Sequence, residues 1–159
     1  MKTYTIQNAS LMEAIIKKSQ VCFVGLSDEE GMPYVLPMNF GYNDDIIYLH
    51  SALEGHSIEI IKKNPKTCIT FCSNAQLAYQ HQEVACSYRM KSESVMCWGE
   101  VIFVNDLDEK KDALDIIMGQ YSEQEFAYSL PALKNTQVWM IKVIKMTGKV
   151  FGEKHNMSF

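Results

Sequence analysis

With 159 residues, 47% hydrophobic and 21% charged side chains, the chain has the size and composition of one packed domain. Its net charge of −4 and its single arginine, Arg89, leave no basic stripe for nucleic acid. No apolar run approaches the ~20 residues of a membrane span, and MKTYTIQNAS lacks a signal-peptide core, so a cytoplasmic protein is expected.

Taken in chain order, Asn8 and a Ser10–Glu13 capping box open an amphipathic helix that ends near Ser19. Gln20 to Leu26 reads as a buried strand. The turn from Asp28 to Pro33 leads to a second strand, Tyr34 to Tyr42, and Asn43-Asp44-Asp45 turns into a third, Ile46 to His50. A helix follows Gly55 and stops at Asn64-Pro65, because the residue before proline resists helical geometry.

The polar junction between that third strand and that helix runs His50-Ser-Ala-Leu-Glu-Gly-His-Ser57. Such a junction aims backbone N–H groups at one spot, and an open helix start favours a phosphate there. The neighbouring strand offers a flat platform for a ring. Together they fit a nucleotide-like cofactor.

Thr67 to Ser73 is a further strand, and Gln76–Glu83 reads as a polar loop. Val84–Met90 and Ser94–Val104 read as two extended stretches separated by Lys91-Ser92-Glu93. Asp106 caps a helix to about Gly119, Ser122–Glu125 suggests a short helix ended before Pro131, and Gln137–Lys149 reads as one long final strand. The tail GEKHNMSF reads as frayed. The five cysteines form an odd, scattered set, which suits reduced thiols. Cys68 and Cys72 fall ~13 Å apart on one strand, too far to share a metal, and no metal site is expected.

Short connections between sequential strands imply an antiparallel sheet. The expectation is therefore an α+β, mainly β protein: a six- to seven-stranded antiparallel barrel with a few short peripheral helices, closed so that no edge is exposed. It would form a single domain over 1–159, with 1–9 and 152–159 peripheral.

The order PMNFGY, acidic turn, IIYLHSALEGHSIEIIKKNP, TCITF and later SVMCWGEV resembles the flavin-binding split-barrel superfamily typified by pyridoxamine 5′-phosphate oxidase. Within it, the run Tyr-Leu-His-Ser-Ala-x-x-Gly is similar to the Nim-type 5-nitroimidazole reductases, and the likeness covers roughly residues 10–150. The resemblance implies a homodimer with FMN at the subunit interface, FAD being the alternative. It places Val35, Leu36, Pro37, Met38 and Asn39 along the isoalloxazine, and Ser51, Ala52, His56 and Ser57 at the ribityl chain and phosphate. Ser94 would approach the flavin from a later strand, and His50 would sit beside it and act in turnover.

The implied activity is reduction of a small electron-poor acceptor such as a 5-nitroimidazole, with NAD(P)H as a transient donor. No Gly-rich dinucleotide fingerprint gives that donor a separate site. The alternatives are a flavin carrier without a dedicated substrate, and a haem-handling barrel using His50 or His155. One departure stands out. Where the family commonly has a basic pair after the loop glycine, this chain has His56-Ser57, which leaves phosphate neutralisation to N–H groups, the Ser57 hydroxyl, an imidazole, and Lys62, Lys63 or Arg89.

Overall fold

The computed structural model describes residues 2–153. Nine strands and four α-helices follow one another as β1 (Lys2–Ile6), α1 (Ala9–Lys18), β2 (Cys22–Ser27), β3 (Pro33–Met38), β4 (Gly41–Asn43), β5 (Ile46–Ser51), α2 (His56–Lys63), β6 (Lys66–Ala78), β7 (Arg89–Val104), α3 (Leu107–Gly119), α4 (Leu130–Lys134), β8 (Gln137–Lys142) and β9 (Lys145–Glu153). All pairings are antiparallel, in the order β3-β2-β6-β7-β8-β5-β4, with β9 pairing both β7 and β1.

The expected closure into a barrel does not occur. The strand path ends at β3 on one side and β4 on the other, without a pairing between them. Both ends of this path are protected in another way. Phe23 opposes Pro37 and Ser27 opposes Pro33 in the β2–β3 ladder. A proline cannot donate, so these are the positions whose N–H would face away from β2, and the outer edge of β3 keeps only the Val35 N–H. At the other end, β4 is three residues long and α3 lies on it. Proline and a covering helix thus replace closure as the guard against edge pairing.

The main path holds seven strands, within the expected six to seven, and β1 and β9 lie off it. The Tyr34–Tyr42 segment is two strands broken at Asn39 and Phe40, and β1 was not foreseen. Arg89–Val104 is one strand of 16 residues, continuous through Lys91-Ser92-Glu93, while β6 extends into the expected polar loop as far as Ala78. Ser122–Glu125 forms no helix; instead Ser129 caps α4, with Pro131 in its first turn. Helix α1 is capped by Asn8, whose side chain accepts from the Leu11 N–H at 3.2 Å, rather than by Ser10. The frayed-tail expectation, beyond Glu153, and His155 lie outside the described residues.

The final strand is likewise divided. Ile141 opposes Val101 and Lys145 opposes Trp98, so residues 142–144 face only 99–100 across the ladder. This bulge splits the line beside β7 into β8 and β9, and the sheet forks there. The main core, with Trp139, Phe40, Phe71, Ile47, Leu49, Ile69 and Val95 all at 0% exposure, lies between the two arms of the fork and α1. A smaller cluster of Val104, Ala113 and Val138 packs beneath α3. Among the described residues, no helix is long and apolar enough to cross a membrane.

Candidate functional site

The polar junction falls between β5 and α2, beside the free edge of β3. Since successive strand residues point to opposite faces, Leu49 and Ser51 share one face of β5, and Tyr48 and His50 the other. Leu49 is fully buried in the main core, whereas Tyr48 packs on the small cluster beneath α3. His50 and Ser51 therefore project their side chains in opposite directions, although they are neighbours in the junction.

Ser51 is already engaged. Its hydroxyl accepts from the Trp139 indole Nε1–H at 3.0 Å and donates to the Ala52 carbonyl at 2.8 Å. His50 is exposed and pairs in register with Val138. Partial desolvation of His50 holds its imidazole below the ordinary value of 6.5, favouring the neutral ring. Because the unfolded chain takes up this proton more readily, stability present above pH 6.5 is lost as the pH falls through 6.5 toward the folded value. Urea denaturation should show wild type losing more stability than His50→Gln between about pH 7.5 and about pH 5.5. Equal losses would remove His50 from the balance.

Helix α2 starts without a side-chain cap. Gly55, at φ 133° and ψ 170°, precedes it, and the first helical bond runs from the Glu59 N–H to the Gly55 carbonyl at 3.1 Å. The N–H groups of His56, Ser57 and Ile58 thus have no partner within the helix, the arrangement that receives an anion. The ring of His56 meets Tyr34 of β3 edge-on, with centroids 5.0 Å apart at 87°. Its Nδ1 lies 3.9 Å from Glu59 Oε2. On that flank a cavity of about 200 Å³ is lined by Asp28, Glu29, Glu30, His56, Glu59, Ile60 and Lys63. This flank is acidic, so an anion is better received on the side facing β5.

Along β3, Val35 is 63% exposed and Pro37 is also exposed, while Leu36 and Met38 are half-buried against the core. Asn39 is exposed at the break before β4, which pairs with β5. The Tyr34–His56 contact thus brings β3 beside the start of α2, and Ser51 and Ala52 lead into that turn, while His50 projects from the opposite face of β5.

The fold does not bring Ser94 there. Ser94 sits on β7 opposite Cys72 of β6, and β3 reaches β7 only across β2 and β6, about 14 Å away at the usual strand spacing. Arg89 is also remote. It opposes Ala78 at the far end of β6, roughly 35 Å along the strand from the level of Tyr34. Of the other cations considered for the phosphate, Lys63 is held by Glu29 at 3.0 Å. Trp139 is buried at 0% exposure and offers no face to a ligand.

Gly55 was legible from its place directly before a helix start, whereas the bond from Trp139 to Ser51 was not, because it spans 88 residues. Among the described residues, no group of three or more histidine, cysteine or acidic side chains is placed to hold a metal.

Comparison with known proteins adds the following. A family model described as pyridoxamine 5′-phosphate oxidase matches residues 9–150. The structure of a candidate 5-nitroimidazole antibiotic resistance protein from Bacteroides thetaiotaomicron is 51% identical, with a TM-score of 0.85 over 94% of this chain and 87% of that one. An FAD and heme binding protein from Mycobacterium smegmatis shares the fold at 12% identity, with a TM-score of 0.82 over 96% and 76% of the two chains. An FAD-binding protein from Mesorhizobium loti does so at 19% identity, with a TM-score of 0.70 over 96% and 100%. No curated protein matches.

Proposed function

The chain belongs to the pyridoxamine 5′-phosphate oxidase family, and from that premise we propose that it is a flavin-dependent oxidoreductase reducing a small electron-poor acceptor, of which a 5-nitroimidazole is the first to test. The observation that carries this reading is the uncapped start of α2 beside the exposed edge of β3, a phosphate receptor next to a ring platform. The residues present fit a flavin. Val35 keeps the only N–H on the outer edge of β3, Val35 and Pro37 expose an apolar flank, and the N–H groups of His56, Ser57 and Ile58 are open to a phosphate.

When bound, a flavin supplies the electron transfer itself, taken from a nicotinamide donor and passed to the acceptor. The chain's own contribution is position and electrostatics. Edge groups of β3 orient the ring, and the junction holds the phosphate without a fixed cation. FMN is favoured over FAD because the flank beyond His56 carries Asp28, Glu29, Glu30 and Glu59, which would repel the second phosphate of a longer tail. His50, held neutral, is suited to orienting an acceptor by hydrogen bonding rather than to acting as a standing proton donor at neutral pH.

A homodimer fits the same reading. Phe23 and Val35 are 47% and 63% exposed on the outer face of the sheet, and Ser94 on that face reaches a flavin only from a second copy. The missing fixed cation also favours a second reading, a flavin carrier that exchanges its ligand.

Absorption spectra of the purified protein with added FMN or FAD test the assignment. Flavin bands, bleaching by NADH and reoxidation by a 5-nitroimidazole are expected; bands without reoxidation favour the carrier. A colourless preparation that takes up neither flavin overturns both. His50→Ala should lower acceptor turnover by about 10²-fold, as for a misplaced reacting partner, with flavin content unchanged. Turnover equal to wild type would take His50 out of the reaction.

A further inference from the structure

We propose that Trp139 is a positioning residue for the β5–α2 junction, and that the Ser51 hydroxyl serves this scaffold rather than the ligand; the inference rests on the flavin reading above.

Trp139 opposes Leu49 in the β5–β8 ladder, and both are 0% exposed. Phe103 meets the indole at 6.4 Å and 69°, fixing its plane. The buried Nε1–H needs a partner, and at 3.0 Å it has Ser51 Oγ, the first polar side chain beyond the core at the end of β5. A hydroxyl carries one proton, and that of Ser51 goes to the Ala52 carbonyl at 2.8 Å. What remains on Ser51 Oγ is a lone pair, which repels a phosphate oxygen. Ser51 therefore meets an anion unfavourably through its side chain, unless both bonds to the scaffold are given up.

The pair of bonds has a geometric consequence. The core indole fixes Ser51, and Ser51 fixes the direction of the Ala52 carbonyl. The chain leaves the sheet from that point. At the far end of the junction, His56 rests against Tyr34. Residues 52–55 are thus held at both ends, with Gly55 turning into the open start of α2. An indole within the core sets the aim of N–H groups that it never touches.

Dissociation constants for FMN and riboflavin, which differ only in the phosphate, test this in Trp139→Phe, Ser51→Ala, Ser51→Thr and the double variant. Trp139→Phe and Ser51→Ala should each weaken FMN by about tenfold, the scale of one hydrogen bond, with riboflavin little affected. The double variant should be no worse than either single, and Ser51→Thr should bind FMN as wild type does. Weakening in Ser51→Ala but not in Trp139→Phe would place the hydroxyl on the phosphate and overturn the proposal. So would an unchanged FMN-to-riboflavin ratio in both, which marks a purely structural bond.

Hydrogen exchange of the Trp139 indole N–H needs no tryptophan variant. It should be slow in both free and FMN-bound protein, and faster in Ser51→Ala. Faster exchange on FMN binding would mean that the hydroxyl turns to the ligand. A wild type that binds neither compound overturns the flavin reading and this inference with it, whereas every other adverse result falls on the inference alone.

Discussion

Gly99→Ala is expected to destabilise the protein by about 3 kcal/mol or more, the upper range for overpacking at a site that cannot relax. An added Cβ would lie 2.5 Å from the Lys142 carbonyl oxygen and 2.7 Å from Ile141 Cγ2. Neither neighbour can yield cheaply. Lys142 ends β8 at the bulge, where the Val143 N–H donates to Asp45 and the Ile144 N–H donates to Trp98 at 2.9 Å. Ile141 is 1% exposed and packed in the main core. To admit a methyl group, β8 must move off β7, which opens the fork and shifts β5 with it. Urea denaturation should show the midpoint falling sharply. A loss under about 1 kcal/mol would mean that the fork is loosely held.

Gly55→Ala is expected to weaken FMN binding by about tenfold or more, because its strain falls on the phosphate loop. At φ 133° and ψ 170°, Gly55 lies in a region open essentially to glycine alone, where another residue costs about 1–3 kcal/mol. A Cβ there meets nothing within 4 Å, so the penalty is conformational and not steric crowding by neighbours. The chain can relieve it by rotating the peptide before α2, which turns the first helical N–H groups away from the anion. Titration of FMN against riboflavin separates the effects. Loss of FMN affinity with riboflavin unchanged is the expected result, and equal losses would contradict a phosphate role for this turn.

Much of the site was legible because it is local. The β4–β5 turn at Asn43–Asp45, the β5 strand, the glycine and the helix before Asn64-Pro65 are consecutive, and each is signalled by residues within a few positions of it. The structure adds positive φ at Asp44 and Asp45, 48° and 61°, as such a tight turn requires. Elsewhere local signals misled. Lys91-Ser92-Glu93 looks like a break between strands, yet pairing with β6 and β9 carries β7 through it, because a ladder on both sides outweighs weak strand preference. The bond between Ser51 and Trp139 was likewise hidden, since a serine after a strand gives no sign of a tryptophan 88 residues away.

The sequence by itself determined the antiparallel, mainly β character, the strand–glycine–helix turn after β5 and the likeness to a flavin-binding family. These follow from alternation, turn residues and short motifs, whose physics is settled within a few residues. Only the tertiary structure decided that the sheet stays open, with Pro33 and Pro37 guarding β3 and α3 covering β4, that it forks at Gly99, and that Ser94 and Arg89 stand apart from the site. Those outcomes depend on which distant edges meet and what fills the space between them, and contacts of that kind leave no periodic trace along the chain.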